Sequence, residues 1–382
     1  MINLHLYPSQ LLNESRILRE AMSISSFDVF ESIELVGTGG EGLAREQGIS
    51  DRIRIRRFGT AREDRGLIAK VLSALRWCFE VFRHYRGASV ACVNCHSVAT
   101  LPLGCLLKWS SGARLVYDAH ELETETSGLG GIRKIGTKLV ERALIKRADY
   151  CVFVGAAIDD WYRQSYGLEN TAIIYNAPAF TTTDASDIFR ELYPIAPDMP
   201  IFLYQGVLSE ARAIPKLVEA FSTLEQIALV IMGYGDLSEW VEQMANQNDN
   251  IFYHPAVPPS DLLRHTAGAD FGLSVIESTS LSYEYCMPNK LFEYLMAGKP
   301  VLVSPTREQR DFVERHGVGV VLEDTSVEAI RKGVDQLLSQ DLPVLRERVN
   351  QVRKEFCWER QEQTLRDIYM GKLAFEARDP SA

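Results

Sequence analysis

Pro288-Asn289-Lys290-Leu291-Phe292-Glu293-Tyr294-Leu295-Met296-Ala297-Gly298-Lys299-Pro300 runs directly into the apolar Val301-Leu302-Val303-Ser304. Proline suits the first turn of a helix, and a glycine followed by proline stops one. The stretch therefore predicts a short helix over 289–297 feeding a buried strand over 300–304. The same rhythm extends outward in both directions. Apolar runs at 2–7, 90–93, 114–117, 150–154 and 172–174 form one strand series. Those at 201–204, 228–232, 250–254 and 270–276 form a second, ending at 300–304. Amphipathic stretches at 67–85, 134–146, 215–224, 236–246 and 327–339 alternate with them. Such alternation implies parallel sheets with helices on both faces. Residues 178–200 break the rhythm and read as a linker. The expected fold is α/β, with two doubly wound, Rossmann-like parallel-sheet domains facing across a crevice. Domain one is expected over 1–195 and domain two over 196–355, with helix 356–382 packing back on the first.

The chain has 382 residues, of which 46% are hydrophobic and 24% charged, the balance of a globular protein with a full core. No apolar run approaches the roughly 18–20 residues that span a bilayer, and the N-terminus lacks a secretory pattern. Seven scattered cysteines form no disulfide framework and fit a reducing cytoplasm. The net charge of −10 argues against a nucleic-acid binder. Residues 51–150, however, carry 18 basic against 10 acidic side chains. One face of the first half is thus suited to an anionic surface. Within it, Leu67–Tyr85 mixes Lys70, Arg76 and Arg83 with Trp77, Phe79 and Phe82, which fits either anionic lipid or an ordinary core helix with a solvated basic face.

Several clusters can carry chemistry. The helix opening at Pro288 points the amides of Asn289, Lys290 and Leu291 outward, an anion site that the Lys290 charge reinforces. Glu293 lies one turn deeper, where a carboxylate suits a vicinal diol; a plain Lys290–Glu293 surface pair is the alternative. The strand at 201–204 leads through Gln205-Gly206 to Arg212, a bidentate clamp for phosphate oxygens. A third turn, Met232-Gly233-Tyr234-Gly235, repeats the strand–glycine–helix pattern. In the first half, Asp118-Ala119-His120-Glu121 closes a strand where a crevice would lie. His120 is placed to donate to a sugar hydroxyl, and Asp118 or Glu121 to accept a proton; a capping cluster is the alternative. Asn13-Glu14-Ser15-Arg16 marks a further helix start that is either crevice-facing or a simple cap. Gly37-Thr38-Gly39-Gly40-Glu41-Gly42 matches a dinucleotide fingerprint, but no acid follows where a ribose would need one, so a surface turn is expected. Cys92-Val93-Asn94-Cys95-His96 spells a haem-attachment signature on what reads as a buried strand, so core cysteines are expected, and no second pair supports zinc.

With these residues in hand, the chain resembles GT-B glycosyltransferases of the family 4 type. Pro288 to Val301 looks like their donor-site helix, Tyr204-Gln205-Gly206 with Arg212 like their phosphate turn, and Met232 to Gly235 like their glycine turn. Asp118-Ala119-His120-Glu121 is similar to the motif whose histidine faces the transferred sugar. The resemblance implies that Glu293 binds the ribose, Lys290 and Arg212 the diphosphate, and His120 the sugar. The base would rest near Val257. It also implies no metal and no cofactor beyond a nucleoside-diphosphate sugar co-substrate, with UDP or GDP expected. Two positions depart from the family pattern: Tyr285 stands where the first glutamate of the retaining pair belongs, and Val207 replaces a basic residue after Gly206.

The expectation is a cytoplasmic hexosyltransferase acting on a glycan or lipid-linked acceptor of bacterial surface polysaccharide. Peripheral contact with the anionic inner membrane surface is expected of the basic segment, and nucleic acid is not expected as a partner. A nucleotide-sugar epimerase of the same fold, a non-catalytic nucleotide-sugar binder and an NAD-dependent oxidoreductase are the alternatives.

Overall fold

The computed structural model describes residues 1–12, 14–59, 66–182 and 186–378. Asn13 of the expected helix start, residues 183–185 of the expected linker and the last four residues of the expected terminal helix lie outside these. The chain divides into two compact units, one of Met1–Ile174 with the segment from Glu362 onward, the other of Tyr175–Gln361.

The first unit holds an eight-stranded sheet of β1 (Ile2–Leu6), β2 (Ser32–Thr38), β3 (Glu46–Gly48), β4 (Ile53–Phe58), β5 (Val90–Cys95), β6 (Arg114–Ala119), β7 (Tyr150–Phe153) and β8 (Thr171–Ile173). Their spatial order is β3-β4-β2-β1-β5-β6-β7-β8, and every pairing is parallel except β3 with β4. The chain winds from β1 toward β2 and β4, then returns to β5 on the other side of β1. Loops after β1 and β5 therefore diverge, which opens a crevice at the carboxyl ends of these strands.

The second unit holds β9 (Ile201–Val207), β10 (Ala228–Tyr234), β11 (Ile251–Pro255), β12 (Phe271–Ser274), β13 (Val301–Val303) and β14 (Gly319–Val321). Their order is β11-β10-β9-β12-β13-β14, all parallel, with the switch between β9 and β12. Successive side chains of β9 point to opposite faces. Phe202 and Tyr204 enter one buried apolar cluster, and Ile201 and Leu203 enter the other. Both faces are thus covered, as parallel sheets require.

The boundary expected at residue 195 falls earlier, after Ile174. The reason is Phe189, on the short helix Ile188–Leu192, which is fully buried in the second unit's core with Ile195. The expected linker is thus partly core. The terminal helix changes allegiance along its length: Trp358 donates its amide to Pro178 of the second unit, whereas Tyr369 is buried in the first and donates to Asn94 Oδ1 at 2.6 Å.

Candidate functional site

The helix Asn289–Met296 is set against its sheet by Tyr294. Its phenol donates to the Leu273 carbonyl at 3.1 Å and accepts the Gln205 amide at 2.9 Å, tying the helix to β12 and β9. Gly272 makes this possible, since a Cβ there would lie 2.2 Å from the Tyr294 ring. So anchored, the helix puts Lys290 beside the end of β9, where a Cβ on Gly206 (φ +123°) would sit 3.6 Å from Lys290 Nζ.

Lys290 is buried, its Nζ lies 3.6 Å from the centre of the Tyr204 ring, and among the described residues that ammonium has no hydrogen-bond partner. Burial, with the Arg212 charge nearby, pushes its pKa well below the usual lysine range, against the pull of Glu293. Arg212, on the turn Glu210–Arg212, stacks 5.1 Å from the Tyr283 ring. Pro288 supplies no side-chain cap to the helix. One expectation needs correction here: the Leu291 amide is not presented outward, because it donates to the Pro288 carbonyl at 3.1 Å, and its side chain is core. The uncapped amides are those of Asn289 and Lys290, the first two of the helix.

Glu293 Oε2 accepts from Gln205 Nε2 at 2.6 Å, and Gln205 Oε1 accepts from Thr266 Oγ1 at 2.9 Å. The carboxylate is thus aimed by a buried amide that sequence reading had treated as part of a turn. Gly233 and Gly235 answer a packing demand: a Cβ on either would meet the Gly206 carbonyl at 1.9 Å or the Leu208 carbonyl at 2.4 Å. Val257 is half-buried against the core cluster of Met232 and Phe252. Near the departures, the Tyr285 ring lies under Arg307, Glu284 accepts from Ser278 Oγ and the Arg307 amide, and Glu277 pairs with Lys216 at 2.8 Å.

In the first unit the strand ends gather a buried polar chain. Asp118 accepts from Arg16 Nη2 at 2.7 Å, His96 Nδ1 at 2.8 Å and His120 Nε2 at 3.1 Å. Beyond it, His5 Nδ1 meets His96 Nε2 at 2.8 Å. Burial pushes Asp118 up, but Arg16, the two histidines and their hydrogen bonds override it and hold the carboxyl well below its usual range. Burial drives His96 down to about 4. Asp118 is therefore a poor proton acceptor, which corrects its expected role as base: it positions His120. Arg16 is likewise no ligand-facing group, since it is 5% exposed and spends itself on Asp118 and the Ile174 carbonyl. His120 is partly exposed over Tyr7, and Glu121 is exposed. Glu123, which no motif marks, is pushed up to about 8 by burial, and among the described residues its Oε1 has no hydrogen-bond partner.

His96, Asp118 and His120, and separately His5, Glu20 and His96, are spaced to hold a metal ion among the described residues. The Arg16 guanidinium on Asp118 disfavours a divalent cation there by charge repulsion and satisfies the carboxylate without one. The two cysteines of the haem-like motif are buried thiols on β5, and their histidine is the His96 of this chain. The Gly37–Gly42 turn leads to β3 rather than a helix, so no helix N-terminus follows to bind a pyrophosphate.

Residues 186–355 match the family model described as glycosyl transferases group 1. Sucrose-phosphate synthase from Thermosynechococcus elongatus superimposes with a TM-score of 0.78 at 16% identity, over 98% of this chain and 99% of that one. The chain has the GT-B fold, and its match to the glycosyl transferases group 1 model lies within the second unit. Anabaena HepE, solved in complex with UDP-glucose, shares this GT-B fold at a TM-score of 0.74 and 12% identity, over 96% of this chain and 98% of that one. An uncharacterized glycosyltransferase of Methanocaldococcus jannaschii is 20% identical over 252 residues, so the chain spans 61% of the length of this curated relative. All the donor-side residues expected from sequence, from Gly206 to Glu293, lie inside the group 1 segment.

Proposed function

We propose that the protein transfers a hexosyl unit from a nucleoside-diphosphate sugar to a glycan or lipid-linked acceptor in surface-polysaccharide synthesis, acting in the cytoplasm. The observation that carries this reading is Lys290: a buried ammonium with no hydrogen-bond partner among the described residues, beside a glycine strand end, an arginine and two uncapped helix amides. Such a group is costly unless an anion meets it. A departing diphosphate gains negative charge in the transition state, and fixed donors aimed at it lower the barrier. Lys290, Arg212 and the amides of Asn289 and Lys290 supply that charge without a metal. Glu293, held by Gln205, takes the ribose hydroxyls, Gly206 lets the diphosphate approach, and Val257 lies by the base. His120 contacts the transferred sugar, and Glu121 or Glu123 handles the acceptor's proton. The complex of HepE with UDP-glucose supports UDP-glucose as the first donor to try, with GDP sugars next. The basic excess of residues 51–150 supports an anionic, lipid-linked acceptor.

The test is a thermal-shift panel of nucleotide sugars on wild type, Lys290→Ala and Glu293→Ala, with product analysis in the presence and absence of EDTA. One diphosphate sugar should stabilise wild type by about 2.7 kcal/mol at 100 times its dissociation constant, and neither variant. Equal stabilisation of Lys290→Ala would remove the donor-site assignment. A donor epimerised rather than transferred would favour the epimerase.

A further inference from the structure

We propose that the first unit seats on an anionic lipid surface through the outward faces of three neighbouring helices, Leu67–Tyr85, Leu101–Ser111 and Gly131–Leu144. The topology puts them together. They carry the chain from β4 to β5, β5 to β6 and β6 to β7, all advancing the same way across the sheet. Right-handed crossovers then lay all three on one sheet face. Each packs against the next, with Leu101–Ser111 in the middle.

A helix covering a sheet ordinarily turns its apolar stripe inward and its polar residues outward. Leu67–Tyr85 and Leu101–Ser111 are apolar on both sides, and Gly131–Leu144 turns its apolar residues outward. Leu67–Tyr85 buries Trp77, Val81 and Tyr85, yet it exposes Leu72, Leu75 and Phe79, the last at 63%. The spacing of 72, 75 and 79 continues through 83 and 86, and 76 joins it, so Arg76, Arg83 and Arg86 share the exposed apolar stripe. On Gly131–Leu144 the same pattern recurs: Ile132, Ile135 and Leu139 are exposed, Ile132 at 89%, and Arg142 continues the stripe. Between them Trp109 stands 84% exposed. Ten of the eighteen exposed large apolar side chains among the described residues lie on these three helices. Isolated exposed apolar residues are ordinary; a clustered set of this size marks an interaction surface.

Charge decides the occupant. The acids on these helices are Glu80, which is paired with Arg76, and Glu141, which is fully buried in a tyrosine cluster. A second copy of the chain would bring arginines against arginines. Arginine interleaved with leucine, isoleucine and tryptophan instead matches the boundary of an anionic bilayer, where aromatic and aliphatic groups enter the acyl edge and guanidinium groups meet phosphates. Among the described residues, no helix is long and apolar enough to cross a membrane, so the contact is peripheral. The inference gives the lipid-linked acceptor of the proposed function a physical address and rests on that reading only for its purpose.

The experiment uses the full chain, without donor, in co-sedimentation with phosphatidylcholine vesicles, plain or containing about one-third phosphatidylglycerol. The protein should bind the anionic vesicles, release as salt rises well above ~0.1 M, and show a blue-shifted tryptophan emission that Trp109→Phe abolishes. The variant Arg76→Gln/Arg83→Gln/Arg86→Gln should lose about fivefold in partitioning per arginine. Ile132→Ser/Ile135→Ser should lose at least about tenfold. Circular dichroism and UDP-induced thermal shifts unchanged from wild type would show that both variants remain folded with the donor site intact. Wild-type indifference to anionic vesicles, or unchanged binding by the two folded variants, overturns the proposal. So does a blue shift that appears only with rising protein concentration or on adding an acidic protein. Because turnover is not read, failure here leaves the transferase reading standing, and failure of donor binding leaves this one standing.

Discussion

Lys290 is held where a cation is hardest to keep. Its ammonium faces a tyrosine ring and a glycine, with another cation nearby. Replacing a buried unpaired charge by an apolar group of similar shape relieves a penalty of about 1–3 kcal/mol. Lys290→Met should therefore raise the unfolding midpoint of the unliganded protein while weakening the nucleotide sugar about 10–100-fold, a trade that a purely structural lysine would not show. The sign of its pH dependence follows from the lowered pKa. Between that value and the ordinary 10.5, the unfolded chain holds a proton that the folded chain lacks, so stability rises with pH across this window. A bound diphosphate reverses the preference, so calorimetric titration at a pH inside this window, in buffers of different ionisation enthalpy, should report proton uptake on donor binding. Its absence would place the diphosphate elsewhere. His96 supplies a test of the same sign at low pH. Its pKa falls from 6.5 to about 4, so a proton bound by the unfolded chain is refused by the folded one. Stability should decline by roughly 3 kcal/mol as pH falls from 6.5 to 4. A denaturant series should find that decline flattened in His96→Gln.

At the scale of elements, the helix that follows Pro288 and its strand were legible because proline, glycine and an uninterrupted apolar run mark their ends. The expected helix over 289–297 is observed as Asn289–Met296, and the strand over 300–304 as Val301–Val303. β4, Ile53–Phe58, was hidden by its own alternation: Ile-Arg-Ile-Arg-Arg-Phe reads as a basic stretch, although the isoleucines alone are enough to bury one face. Leu101–Ser111 was hidden for the opposite reason, being apolar nearly all round and so without a helical period. Local sequence carries no sign of the contacts that join elements. Gln205 reaches Glu293 across 88 positions because Tyr294 ties the Asn289–Met296 helix to β9, and His5 reaches His96 across 91 because parallel β1 and β5 end at one edge. Gly272 is such a contact in β12, invisible as a motif yet required by the Tyr294 ring. Gly272→Ala sets a methyl 2.2 Å from that ring in a closed core. Overpacking of this kind costs about 1–3 kcal/mol. Because Tyr294 holds the donor helix to both strands, the variant should also lose donor affinity, whereas an equally destabilising change in the first unit should not. Chemical denaturation paired with nucleotide titration separates the two outcomes.

At the scale of the molecule, every residue proposed for the donor, from Gly206 to Glu293, belongs to Tyr175–Gln361, while the Asp118–His120 chain belongs to the other unit. The two groups of motifs expected from sequence thus fall in separate units, because the elements that carry them belong to separate sheets. Sequence reading misplaced the boundary, because Phe189 and Ile195 sit in a stretch whose threonine, aspartate and proline read as exposed. The division makes a thermodynamic prediction. The units have separate sheets and cores, so a ligand whose contacts lie in one stabilises that one by mass action, with about 2.7 kcal/mol expected at 100 times its dissociation constant. UDP carries the base, ribose and diphosphate but no sugar for His120. In hydrogen exchange it should slow the amides of β9, β10 and the Asn289–Met296 helix, and leave those of β5 and β6 at their unliganded rates. Protection appearing first around β1, β5 and β6 would move the nucleotide to the first unit, and Lys290 would then need another anion to explain its burial.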